Sequence, residues 1–335
     1  GASNVIIDLR DNPGGLLSSS LDLLDLILPK NLELVSTKGR AGKSIKNYKT
    51  LNNALIPNSI NMAVLINGAS ASASEIVAGV LQDYDRAIVL GSQSFGKGLV
   101  QTVIGINQET ALKITNSKYY IPSGRSLQKR EFIDDELIAN SSAVADTLFQ
   151  TKAGRTVIGG GGIGPDVIVK DEGSYPLAAS ILRSRGYFKF VQENNNQYSS
   201  IDEVLADEEL MVKFKAFIEK NDISGYVDGQ EDLKLAKEKL SKKEEKNLFI
   251  NNAFSVIEKQ IEKTQSTMFE DEKEIIQRMV HGEFAFYYNG YEGRYNIYLK
   301  DDTVVQKAIE IFADESQYLS ILSNTESTEV ASLNN

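Results

Sequence analysis

The sequence predicts an α/β fold followed by an all-helical region, and two observations predict it. Up to about residue 190, short apolar runs that read as buried strands alternate with helix-period stretches, which is the pattern of an α/β domain. Beyond Asn194-Asn-Asn-Gln197 and Ser199-Ser200 the strand pattern stops and apolar residues recur at helical spacing. The expected division is a core over 1–193, a linker over 194–200, a helical domain over 201–323 and a frayed tail over 324–335, rich in Ser, Thr and Asn.

Val5 to Leu9 is a short apolar strand that runs into Arg10-Asp-Asn-Pro-Gly-Gly15, a turn with exposed backbone. Leu16 to Leu28 reads as a helix with Leu17, Leu21, Leu24 and Leu28 on one face. Leu32 to Thr37 is a strand, and Lys38 to Asn53 reads as a polar loop. Met62 to Ile66 is a buried strand that breaks at Asn67-Gly68, and a helix restarts at about Ser72 to Ser74 and runs to residue 84. Ala87 to Leu90 is the next strand and leads into a turn around Lys97. Val100 to Ile106 and Ala111 to Tyr120 form a strand pair, closed by Tyr119-Tyr-Ile-Pro-Ser-Gly-Arg125.

Residues 129–153 are polar and mixed. Thr156 to Gly164 is glycine-dense, Pro165-Asp-Val-Ile-Val169 reads as a last strand, and Pro176 to Arg185 as a helix. Helices are then expected over 202–220, 230–263 with a break, 268–288 and 303–322, with Ser199, Ser200 or Asp202 capping the first. The mixed-charge run from Lys237 to Lys246 reads as a solvated helix face.

Composition excludes several function classes. A net charge of −10 argues against general binding of nucleic acid, whose phosphates need a basic surface. There is no cysteine, so disulfides, thiolate metal sites and a cysteine nucleophile are absent. The single histidine, His281, excludes a histidine-rich metal centre, and neither a metal nor another cofactor is expected. No stretch approaches the ~18 consecutive apolar residues of a membrane helix, and no targeting segment is visible. The chain starts without Met and enters a strand almost at once, so it reads as a fragment of a longer protein.

The chemistry concentrates at Ser72 and Lys97. Strand, tight turn, small residues and helix start place the Ser72 hydroxyl at a helix N-terminus, where backbone N–H groups are unpaired. A serine needs a neighbouring base to become a nucleophile. Lysine serves when neutral, which burial favours, and Phe95, Gly96, Gly98, Leu99 and Val100 around Lys97 include no acid that would hold it charged. The negative charge developing on an attacked carbonyl needs donors; the Ala73 amide and the bare Gly14-Gly15 backbone are candidates. Gln101 lies where it can orient the amine, and Asp83 is either structural or part of the polar network. The competing reading is that Ser-Ala-Ser-Ala-Ser serves close helix packing and Gly96-Lys97-Gly98 is a plain exposed turn.

Two motifs mislead. Gly91-Ser-Gln-Ser-Phe-Gly-Lys97 matches seven positions of a phosphate-binding loop, but Gly98 stands where the magnesium-binding Ser or Thr belongs, and a strand follows instead of a helix. Gly159-Gly-Gly-Gly-Ile-Gly164 fits G-x-G-x-x-G, but again no helix follows. His281 reads as a surface or packing residue, and Tyr287, Tyr288, Tyr291, Tyr295 and Tyr298 as a core or interface cluster.

Five pieces in order carry a resemblance: Ile7 to Gly15, Asn67-Gly-Ala-Ser-Ala-Ser-Ala-Ser-Glu-Ile76, Gly91 to Gln101, Tyr119 to Arg125, and Gly162-Ile-Gly-Pro-Asp166. Over residues 4–190 the chain resembles the C-terminal processing peptidases, or tail-specific proteases, of the Ser/Lys type; the helical remainder resembles the C-terminal extension of Bacteroidetes-type members. The resemblance implies Ser72 as nucleophile, Lys97 as base, Gln101 as the residue orienting the lysine, and Ala73 with Gly14 or Gly15 as oxyanion donors. It implies a Clp-protease/crotonase-like core of β-β-α units that cleaves proteins near their apolar C-termini, without metal or nucleotide, at the periplasm or cell envelope. It also implies that a PDZ domain and the first core strands precede this segment in the whole protein. The alternative expectation is a latent or non-catalytic core serving as a scaffold, with homo-oligomer formation through the helical domain.

Overall fold

The computed structural model describes residues 1–39, 44–129, 131–133, 136–138, 147–169, 175–241 and 248–323. It divides into two compact units, one of residues 1–171 with 303–335 and one of residues 172–302.

The first unit is built on a four-stranded sheet ordered β1 (Asn4–Asp8), β4 (Asn61–Ile66), β5 (Ile88–Gly91) and β12 (Val167–Ile168), parallel at every pairing. Register places Val5 opposite Met62 and Leu65 opposite Leu90. The apolar run of β4 is continuous because both faces are covered. Met62, Val64 and Ile66 pack with α1 (Leu17–Ile27) and α2 (Ala73–Asp83). Ala63 and Leu65 pack on the other face with α10 (Thr303–Ala313) and α11 (Glu315–Ser323). The Tyr318 hydroxyl donates to Met62 O (3.2 Å) and accepts from Met62 N (2.9 Å), tying α11 to β4.

A second sheet is antiparallel and ordered β3 (Ser44–Lys49), β2 (Glu33–Gly39), β7 (Ala111–Tyr120) and β6 (Leu99–Gly105). Two hairpins, β8 (Glu131–Ile133) with β9 (Glu136–Ile138) and β10 (Thr147–Gln150) with β11 (Thr156–Gly159), complete the strands. The expected polar loop over 38–53 is thus partly strand: β3 is an edge strand, and edge strands keep polar residues on their solvent side, which hides them from an apolar-run reading.

The second unit is helical throughout its described residues. It comprises α3 (Pro176–Arg183), α4 (Gly186–Asn194), α5 (Ile201–Ala206), α6 (Leu210–Lys220), α7 (Gln230–Ser241), α8 (Leu248–Asp271) and α9 (Lys273–Tyr298). Its core stacks Phe190, Phe214, Phe217 and Phe284 in mostly edge-to-face pairs. Inside α9, Gly290 takes φ +63° and ψ −154°, a conformation open to glycine, and the helix folds back there. The returning turn lays the Tyr298 ring on Gly282 and pairs Arg294 with Glu283 at 2.7 Å.

The sheet-then-helices order agrees with the predicted fold class, while several boundaries differ. The first unit ends near 171, not 193, and α10 and α11 belong to it because their apolar faces cover the sheet. The stretch expected as a linker ends α4 and forms a 3-10 turn at Asn195–Gln197, inside the second unit. The helix expected over 202–220 breaks at Asp207, with Ser200 as the cap of α5. The helix over 303–322 breaks at Asp314, whose carboxylate accepts from Gln317 N. The break expected within 230–263 and the tail over 324–335 lie outside the described residues. Of the five tyrosines, Tyr288 donates to Asn195 O and Tyr198 O, while Tyr287, Tyr291 and Tyr295 are exposed.

Candidate active site

Three loops leave the carboxyl ends of neighbouring parallel strands: β1 leads to Gly14, β4 to Ser72 and β5 to Lys97. This is the edge at which open α/β sheets hold their ligands. Side chains bind the three loops together. Asn67 Oδ1 accepts from Asp11 N (3.0 Å), and its amide donates to Asp11 Oδ1 (3.0 Å). Ala71 N donates to Asn12 O, and buried Ser70 donates to Leu9 O (2.7 Å) while its own carbonyl accepts from Phe95 N.

Ser72 is the residue before α2 and adopts φ +58°, ψ −113°, a strained conformation for a side-chain-bearing residue. The strain turns the chain sharply from strand to helix and leaves the half-buried Ser72 at the positive end of α2. The Ala73 amide has no intramolecular partner among the described residues, so it is free to donate to a ligand.

Gly14 sits directly against this turn. A Cβ there would lie 2.5 Å from Ala71 O, 2.8 Å from Ala73 N and 3.0 Å from Ser72 Cβ, and φ is +90°. Only glycine allows that approach. Its own N–H is taken by Asn12 Oδ1 at 2.9 Å. Of the pair, therefore, Gly15 keeps an amide with no partner among the described residues, and it is exposed.

Lys97 occupies a turn fixed at every backbone neighbour. Gly96 O accepts from Lys129 N (3.0 Å), Gly98 O from Tyr119 N (2.8 Å), and Gly98 N donates to Gln128 Oε1 (2.9 Å). The Lys97 side chain is exposed, contrary to the desolvated amine its apolar flanks suggest, because Phe95 points outward at 57% exposure and glycines provide no cover. No hydrogen bond joins the Ser72 hydroxyl to the Lys97 amine. Gln101, exposed on β6 after a register shift between Val100 and Gln101, is not bonded to Lys97 either.

The residue that sequence reasoning missed is Glu75. It is fully buried and its carboxylate accepts four hydrogen bonds. Oε2 takes Ser72 N (2.8 Å) and Lys97 N (2.8 Å); Oε1 takes Gly96 N (2.7 Å) and the Ser94 hydroxyl (2.6 Å). The bond to Ser72 is half of a capping box, and Ser-x-x-Glu was the signal available in the sequence. Ser94 Oγ in turn accepts from Ile163 N (2.7 Å), and Gly162 packs against Ser94 and Glu75. The glycine-dense segment thus serves close approach to the Lys97 turn, not a dinucleotide.

Asp83 lies at the far end of α2, buried, paired with Arg125 at 2.8 Å and accepting from Ser123 N (2.9 Å). Burial pushes its carboxyl up from the ordinary value, with Arg125 and the Ser123 bonds opposing. Arg125 also donates to Gln82 Oε1, and Arg155 bridges Asp85 and Asp166, each at 2.6 Å. Asp83 is therefore part of a buried polar network bracing α2. His281 belongs to the second unit, on α9; burial lowers its pKa. Among the described residues no group of His, Asp and Glu could hold a metal, and no helix is long and apolar enough to cross a membrane.

A serine on a strained strand-to-helix turn at the carboxyl edge of a parallel sheet, beside amides that have no partner among the described residues, is the kind of arrangement that serine hydrolases with α/β folds use. Residues 1–138 match the family model described as peptidase family S41, and residues 177–312 one described as probable PDZ-protease, C-terminal helical domain. A carboxy-terminal-processing protease of Bartonella bacilliformis is 49% identical over 123 residues, covering 37% of this chain and 28% of that protein. A carboxyl-terminal-processing protease of Synechocystis sp. is 37% identical over 138 residues, covering 41% and 31%. Among solved structures, the photosystem II D1 C-terminal processing protease aligns at 25% identity over 51% of this chain and 35% of its own, with a TM-score of 0.39. The stretch similar to peptidase family S41 is thus residues 1–138, less than half of the chain. The chain spans under a third of the length of those curated relatives.

Proposed function

We propose that this chain carries the catalytic part of a serine endopeptidase that cleaves protein substrates near apolar C-termini, with Ser72 as nucleophile and Lys97 as general base. One observation supports it above the others: the Ser72 and Lys97 amides converge on a single carboxylate oxygen, so the two turns are held side by side although they are remote in sequence. Ser72 Oγ attacks the scissile carbonyl as neutral Lys97 Nζ takes its proton. The amides of Ala73 and Gly15, which have no partner among the described residues, donate to the oxyanion, while Gly14 supplies the close approach. Lysinium then protonates the departing amine, and a water deacylates Ser72 by the same proton route.

The Lys97 side chain is exposed in the structure. The polypeptide substrate itself is the cover that desolvates the Lys97 amine on binding, and Gln101, on the strand leaving the Lys97 turn, orients it once covered. We assign action at the periplasm or cell envelope on the resemblance alone. Homo-oligomer formation through the second unit rests on the exposed tyrosines of α9.

The test is hydrolysis of an unstructured polypeptide with an apolar C-terminus by the protein carrying this chain. Cleavage lost in both Ser72→Ala and Lys97→Ala supports the reading. Turnover unchanged in either variant overturns it and favours a scaffold role.

A further inference from the structure

We propose that Glu75 is a positioning residue that registers the nucleophile turn against the base turn. This rests on the Ser72–Lys97 reading and deepens it. Glu75 is buried with no cationic partner among the described residues, and its four donors come from two separate loops: Ser72 on one side, and Ser94, Gly96 and Lys97 on the other. A carboxylate in that setting persists only because every acceptor position is used. Its single-residue lever is large. The Ser72 turn is strained at φ +58°, and the bond from Ser72 N to Oε2 is one of the contacts that hold it there. The same Oε2 holds Lys97 N, so a shift of the carboxylate moves both turns together.

The two oxygens are not equivalent. Oε2 serves only backbone amides, which cannot reverse direction. Oε1 serves Gly96 N and a hydroxyl, and Ser94 Oγ is able to accept instead of donate. In Glu75→Gln the amide nitrogen therefore settles on the Ser94 side, keeping Ser72 N and Lys97 N bonded and orphaning the Gly96 amide. Glu75→Ala removes all four acceptances. Glu75→Asp, a methylene shorter, fails to span the two loops.

The order expected for kcat is wild type, then Glu75→Gln down about 10-fold, the worth of one charge-assisted hydrogen bond, then Glu75→Asp and Glu75→Ala down about 100-fold or more, the cost of misplacing reacting groups by an ångström. KM stays within a factor of two or so for Glu75→Gln, since the residue is buried away from substrate. A residue that only supports folding would lower the unfolding temperature and leave kcat per folded molecule unchanged, and that result overturns the proposal, as does a rise in KM at constant kcat.

Because Glu75→Ala risks misfolding, amide hydrogen exchange in wild type and folded Glu75→Asp gives a second readout that needs no turnover. Joint loss of protection at the Ser72 and Lys97 amides supports the proposal; loss at one alone, or at neither, overturns it. Should wild type itself hydrolyse nothing, the peptidase reading fails, while the exchange experiment still decides whether Glu75 couples the turns.

Discussion

The backbone amides of Ser72 and Lys97 donate to the same atom, Oε2 of Glu75, each at 2.8 Å. Neither the Ser72 side chain nor the Lys97 side chain takes part in holding the two turns together. Removing the exposed Lys97 side chain is therefore expected to change folding stability by no more than about 0.5 kcal/mol while abolishing peptide hydrolysis. Urea unfolding and steady-state rates on the same Lys97→Ala preparation check this. A large stability loss would place the side chain in the fold and not in the chemistry.

Strain at Ser72 predicts a difference between two inactive variants. Glycine adopts φ +58°, ψ −113° freely and alanine does not. Ser72→Gly is expected to be more stable than Ser72→Ala by about 1 kcal/mol, a strain of roughly 1–3 kcal/mol less the entropic cost of glycine. Thermal unfolding of the pair measures it, and equal stability removes the strain argument.

The neighbouring glycines should behave unlike each other. Gly14→Ala drives a Cβ to 2.5 Å from Ala71 O at a positive φ, whereas a Cβ on Gly15 meets nothing within 4 Å. The first substitution is expected to cost about 1–3 kcal/mol and nearly all activity. The second is expected to cost under about 0.5 kcal/mol, leaving its amide in place. Comparable losses from both would contradict the assigned packing.

For Asp83 the buried pair with Arg125 predicts a structural outcome. Asp83→Ala leaves Arg125 buried and uncompensated, at a cost of about 3–5 kcal/mol. The double variant Asp83→Leu, Arg125→Met is expected to recover much of that loss, as a double-mutant cycle in thermal unfolding will show. No recovery would mean that Asp83 matters through something other than this pair.

His281 gives a pH prediction isolated by its being the chain's single histidine. Burial lowers its folded pKa below the ordinary value, so the unfolded chain binds the proton first as pH falls. Its contribution is fully present above about pH 6.5 and is lost as pH drops from there toward the lowered folded value. Subtracting a His281→Gln stability profile, measured in urea from pH 8 to pH 5, should leave that acid-side decline. A flat difference contradicts it.

How much of this was legible depended on whether a residue acts locally. The Ser72 turn was legible, because an apolar run broken by Asn67-Gly68 and followed by small residues dictates strand, turn and helix. Gly14 was legible as bare backbone, but its seat against Ala73 N depends on β1 lying beside β4, a pairing no local pattern encodes. Glu75 was visible as a capping residue and opaque as a clamp, since Lys97 reaches it only through the β4–β5 pairing. Arg125 and Asp166 were noticed within motifs, and their work turned out to be bracing α2 and β5 through Gln82, Asp83 and Val89 N. The boundaries at 171 and 303 escaped because α10 and α11 look like any amphipathic helices until the sheet face they cover is known.

Activation of a Ser72 nucleophile by Lys97 is the step on which the proposed peptidase function rests. It is tested most directly by mass-spectrometric mapping of a fluorophosphonate adduct in wild type and Lys97→Ala at neutral pH. One adduct is expected, on Ser72, forming at least about 100-fold more slowly without the lysine, in line with the usual contribution of a general base. An adduct on another serine, none at all, or Ser72 labelling at the same rate in both proteins would contradict it.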